Sequence, residues 1–151
     1  SEKSIRRLAA AIDIVAPELE YLNERNIGII RDAGKELQCY HVQNRNYPGN
    51  TMRDNFRKFS RAGLTGFSYW CFFDRHPEWA PTGAQSYSVV YDGDPEEWTP
   101  SKRSEGIRDG MEDFTLLELL KRKNPAAYRE LMTQEPTLPR SELRHQALQH
   151  L

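Results

Sequence analysis

Two helical runs in this chain end in nearly the same words, Arg31-Asp-Ala-Gly34 and Arg61-Ala-Gly63, and each leads straight into a β-prone run. Before the first of them, Ala11-Ile-Asp-Ile-Val-Ala-Pro17 is a β-branched stretch stopped by proline, which predicts a strand near 11–16. Leu19, Leu22, Ile29, Ile30 and Ala33 then follow a helical spacing, with Gly34 as the C-terminal cap. The second predicted strand is Glu36-Leu-Gln-Cys-Tyr-His-Val-Gln43. The third is Thr65-Gly-Phe-Ser-Tyr-Trp-Cys-Phe-Phe73. Met52, Phe56 and Phe59 mark one face of the helix between them, closed by Gly63. Strands alternating with helices on a scale of about 30 residues predict parallel pairing through right-handed crossovers. A parallel sheet is stable when both faces are covered. Three strands with their helices are not a closed fold, and a βα barrel needs eight strands, so the expectation is the last part of a larger α/β domain.

The remainder is helical. Ser101-Lys-Arg-Ser-Glu-Gly-Ile-Arg-Asp-Gly-Met-Glu-Asp-Phe114 opens with capping chemistry and runs into a leucine-rich segment, predicting a helix over 101–122. Gly106 and Gly110 lie on one face of it. An interior helical glycine costs about 1 kcal/mol against alanine, so this pair implies close approach of that face to the rest of the fold. Ile107, Met111, Phe114, Leu117 and Leu120 are the expected buried stripe, and Arg108 and Asp113 are expected to tie the helix to its neighbours. Asn124-Pro125 starts another helix to about Gln134, Glu135 to Ser141 is a linker, and a short helix ends the chain. The division expected is therefore 1–122 for the α/β part and 123–151 for a helical extension.

The totals narrow the function classes. A formal net charge of −1 over 151 residues provides no field for nucleic acid. No run reaches the roughly 18 apolar residues of a membrane helix. Two cysteines, Cys39 and Cys71, are too few for a disulfide framework. His41, His76, His145 and His150 have no metal-ligand spacing, so neither a metal site nor a cofactor is expected. The acidic loop Asp92-Gly-Asp-Pro-Glu-Glu97 lacks the spacing of a calcium loop. Arg53, Arg57 and Arg61 recur every fourth residue and are expected on a solvated helix face. No glycine-rich phosphate loop follows any strand, which counts against a nucleotide site.

The succession Ile12-Asp-Ile-Val-Ala-Pro17, Cys39-Tyr-His-Val42, Gly63-Leu-Thr-Gly-Phe-Ser-Tyr-Trp70, Tyr87-Ser-Val-Val-Tyr-Asp-Gly93 and Ser101 to Phe114 resembles the C-terminal part of one catalytic domain. That domain belongs to glycoside hydrolase family 123 and its relatives, the domain of unknown function 4091. The resemblance covers roughly residues 11–122, and the Ser101 helix is its most specific element. It implies a (β/α)8 TIM-type barrel of which this chain supplies the C-terminal portion, about three βα units, with the remainder upstream. It further implies hydrolysis of β-linked N-acetylhexosaminides assisted by the substrate's own acetamido group, with a glycan as the partner. The acid pair that such chemistry uses belongs to an earlier strand. Glu112-Asp113 lies inside the last helix in the reverse order, so no catalytic residue is expected here and the chain alone is expected to be inactive.

Alternation along the strands assigns Ile12, Ile14, Cys39, Phe67, Tyr69 and Cys71 to the helix side. Asp13, Gln38, Tyr40, Ser68 and Trp70 then point inward. Sites in such barrels form at the carboxyl ends of the strands, which makes Tyr40, Trp70 and Asp74 the candidate walls of a sugar pocket. An aromatic face suits the apolar face of a pyranose, and a tyrosine hydroxyl still hydrogen-bonds. The competing role for Trp70 is a plug of the barrel. Asp13 is a candidate to orient a substrate hydroxyl, against the commoner role of pairing with a lysine or arginine. Trp79 and Trp98 either edge the cleft or pin the long loop. The non-enzymatic alternative is a carbohydrate-binding or scaffold barrel.

Overall fold

The computed structural model describes residues 2–42, 49–70, 89–92 and 98–151. An amphipathic helix, α1 (Glu2–Ala11), comes first and buries Ile5 and Ala9, while Glu2 and Arg6 pair one turn apart at 2.9 Å. The strand pattern had not included it. Because Ile12 still donates its N–H to Leu8 O, strand β1 begins late, at Ile14–Val15. After a short 3-10 turn (Leu19–Tyr21) come α2 (Glu24–Asp32), β2 (Glu36–Val42), α3 (Gly49–Ala62) and β3 (Gly66–Trp70). Asn23 caps α2 by accepting from Asn26 N at 3.0 Å. Gly34 and Gly63 both have positive φ, 67° and 63°, so the two rhyming helix ends are left-handed turns that favour glycine.

The three strands are parallel in the order β1-β2-β3. A sheet that advances one way, with right-handed crossovers, carries both crossover helices on the same face. Burial agrees: Val15, Leu37 and Cys39 are covered, and Phe67 and Tyr69 pack against the same core as Ile30, Phe56 and Phe59. Phe56 meets Phe67 edge-on at 4.6 Å, and Phe59 stacks on Phe67 at 5.9 Å. Register corrects the first strand. Ile14 pairs with Glu36 and Val15 with Leu37, so Val15 faces the helices, while Ile14 and Ile12, expected there, are exposed.

Beyond β3 the described chain resumes as an antiparallel hairpin, β4 (Val90–Asp92) with β5 (Trp98–Pro100). Residues 71–73 of the predicted third strand, Cys71 among them, lie outside the described residues, as do Asp74, His76, Trp79 and the loop at 93–97. Helix α4 (Lys102–Lys123) starts at Ser101, whose Oγ accepts from Arg103 N and Ser104 N at 3.1 and 3.2 Å and donates to Val89 O. Gly106 and Gly110 are buried. A methyl group at Gly110 would stand 2.2 Å from Phe56 Cδ2, so the close approach is to α3. Ile107, Leu117 and Leu120 are buried as expected; Met111 is not, at 48% exposure, because Asp113 and the glycines occupy the inward face at that level.

Helices α5 (Pro125–Gln134) and α6 (Arg140–Gln149) fold back, joined through a 3-10 turn (Glu135–Thr137). Asn124 caps α5 through Ala127 N at 3.2 Å. Leu117, Leu120, Leu131, Leu143 and Ala147 form a second apolar cluster. The arginine face of α3, expected to be solvated, lies under α4 and this extension. Arg53 grips buried Asp113 with two bonds of 2.7 and 3.0 Å, and Arg140 grips Asp54 with 2.8 and 2.6 Å. Arg57, only 8% exposed, meets Glu135 at 3.4 Å, and Arg61 binds the other oxygen of the same carboxylate. Arg108, expected to tie α4 to its neighbours, is 62% exposed and among the described residues pairs with Glu105 and Asp109 on its own helix.

Candidate functional site

One face of the parallel sheet is left uncovered by the described residues. Tyr40 is in register with Ser68, and Trp70 follows Ser68 by two residues, so both aromatics belong to that face. Strand spacing and rise place their Cα atoms about 8 Å apart. Trp70 is 55% exposed, Tyr40 is half-buried and Ser68 is exposed between them. Gln38 lies lower on the same face: its amide bonds to Glu36 at 3.0 Å and rests over Gly66, where a Cβ would come within 3.0 Å. The two aromatics therefore stand toward the carboxyl ends of neighbouring strands, and the amide lies on the amino-terminal side.

A third residue enters that the sequence pattern had not singled out. Tyr40 N donates to Pro17 O at 2.9 Å, and Glu18 bridges to Tyr40 in parallel fashion. Proline lacks a donor, yet its carbonyl still accepts, so the pairing continues past the residue taken as the end of the strand. Tyr40 is flanked by Glu18 in one neighbouring segment and Ser68 in the other. The charge on Glu18, added to burial as the larger cause, pushes the Cys39 thiol up to about 12. Proline at the border of an edge strand was the available signal.

Asp13 does not join this group. It precedes β1 at the amino-terminal end of the sheet, its side chain 99% exposed, and it pairs with Lys35 at 3.2 Å, the commoner role for such a carboxylate. Glu36, at the same end, accepts from Thr65 at 2.5 Å, which with Gln38 holds its carboxyl below the usual carboxylate value. Asp74 lies outside the described residues. His41 faces the helices; burial first, and then Lys58, lower its value. Asp113, with Gly110, serves the seam between α4 and α3. Among the described residues no three His, Cys, Asp or Glu side chains gather to hold a metal ion, and no helix is long and apolar enough to cross a membrane.

The arrangement suits stacking and hydrogen bonding. It contains no pair of carboxylates set to move protons among the described residues. Comparison with protein-family models finds none that matches the chain, and a search of curated proteins finds no significant match.

Proposed function

We propose that this chain forms three consecutive βα units of a (β/α)8 barrel in a glycan-processing protein resembling glycoside hydrolase family 123. In this reading the open face of β1-β2-β3 lines the sugar pocket. The observation that carries it is the placement of Tyr40 and Trp70 on the uncovered face, toward the carboxyl ends of adjacent parallel strands. The one-way order of the three parallel strands is the order that consecutive βα units of a barrel have. Exposed Ile14 on the same face, and edges of β1 and β3 unpaired among the described residues, support further strands completing the cylinder.

Trp70 would stack on the apolar face of a pyranose while the Tyr40 hydroxyl and Ser68 bind ring hydroxyls. Substrate-assisted hydrolysis needs one carboxylate to orient the acetamido group and another to protonate the leaving oxygen. Both are assigned to other strands of the barrel. A carbohydrate-binding or scaffold barrel without chemistry is the second reading; an adjacent acidic pair at the end of an earlier strand separates the two.

The test uses the purified 151-residue chain. It should release no chromophore from a chromogenic N-acetyl-β-galactosaminide, and N-acetylgalactosamine should perturb the Trp70 indole NMR signal at millimolar concentration. Trp70→Ala and Tyr40→Ala should each abolish sugar binding without lowering Tm. Binding unaffected by both substitutions rejects the proposal, and turnover by the chain alone rejects the division of labour.

A further inference from the structure

On the outer side of the fold, away from the sugar-facing surface, a cleft of about 640 Å³ runs between α2 and α3. That lies within the range of small-molecule sites, roughly 300–1,000 Å³. Its floor is apolar: Leu19, Leu22, Ile27 and Gly28 line it, and more of its surface is apolar than polar. Gly28 is the unusual member. A glycine inside a helix is unfavourable without a packing reason, and here, apart from its own stretch of helix backbone, no described atom lies within 4 Å of where its Cβ would stand. The missing side chain serves no contact among the described residues; what it does is keep the cleft open.

The wall is cationic. Lys58 is exposed and has no carboxylate within ion-pair distance among the described residues. Arg31 donates one Nη2 bond to Ala62 O at 2.7 Å, which fixes its head at the cleft, and its other N–H groups meet no acceptor among the described residues. Arg61 also lines the cleft and is already engaged by Glu135. The one carboxylate among the described lining residues, Glu24, sits about 10 Å along α2 from Arg31.

From this geometry we propose a binding site for an amphiphilic carboxylate: an alkyl or aryl body over Gly28, Ile27 and Leu22, with its anionic head between Lys58 and Arg31. The proposal is independent of the glycan reading, since the cleft lies on the helix side of the sheet.

Octanoate and octanol, titrated into the full chain and followed by amide NMR, test it. Octanoate should shift the Gly28 amide saturably, and octanol should bind at least roughly tenfold more weakly, the loss expected when a charge-assisted hydrogen bond is missing. Gly28→Leu should fill the cleft and abolish binding while Tm is held or raised. Lys58→Glu, an exposed change that spares folding, should weaken octanoate and leave octanol unchanged. Equal binding of acid and alcohol overturns the charge assignment. Octanoate bound equally well by folded Gly28→Leu, or shifts that never involve Gly28, overturn the site.

Discussion

Gly28 and Gly110 are both interior helical glycines, and their surroundings give them opposite roles. At Gly110 the Phe56 ring stands where a methyl group would go, and both residues are buried. Gly110→Ala should therefore destabilise the fold by about 1–3 kcal/mol, the cost of overpacking, although helix propensity alone favours alanine. Gly28→Ala meets nothing and should stabilise by about 0.5–1 kcal/mol. Urea midpoints of the two variants should move in opposite directions; a common direction would mean that propensity outweighs packing. His41 gives a residue-scale pH dependence. Burial holds its native value below the ordinary 6.5, so the unfolded chain takes up the proton first as the pH falls. Stability is full above 6.5 and declines from there toward the lower native value. Urea melts at about pH 7.5 and about pH 5.5 should show that loss in the parent chain and a smaller one in His41→Gln.

At the scale of elements, α3 joins two parts of the molecule. Its apolar face carries Phe56 and Phe59 to the sheet, and its arginine face carries Arg53, Asp54, Arg57 and Arg61 to α4 and the C-terminal extension. Removing one member of a buried pair leaves the other unpaired away from water, which costs about 3–5 kcal/mol. Glu135→Ala, which strands the buried guanidinium of Arg57, should fall near the lower end of that range, and Asp113→Ala below it, because Arg53 keeps Asp109 at 3.5 Å. Arg108→Ala should stay within about 0.5 kcal/mol, because its partners are exposed and on its own helix. Equilibrium urea denaturation separates these cases. Arg140 beside Asp54 holds that carboxyl below its ordinary 3.8; the contribution is present above 3.8 and is lost as the pH falls through the lower native value.

For the whole molecule the governing feature is a parallel sheet that the described helices cover on one side. Ile14 on the bare face and Leu8 and Ile12 on the flank are exposed apolar groups beside an edge strand unpaired among the described residues. Such surfaces seek another copy. Sedimentation of the isolated chain should accordingly show concentration-dependent association, reduced by Ile14→Lys; a monomer at all concentrations would argue against an open face. Much of this architecture was legible in the sequence. The helix ends at Gly34 and Gly63, the caps at Ser101 and Asn124 and the parity of Tyr40 with Trp70 follow from local rules, because a left-handed turn, a capping oxygen and strand alternation involve only residues near in the chain. The position of Asp13 beside Lys35, the burial of the α3 arginines, the pairing of Glu18 past Pro17, and the cleft between α2 and α3 were decided by tertiary structure. In each of these a partner distant in sequence fixes register or removes water, and the energy of a charge or an apolar face depends on that partner more than on its neighbours along the chain.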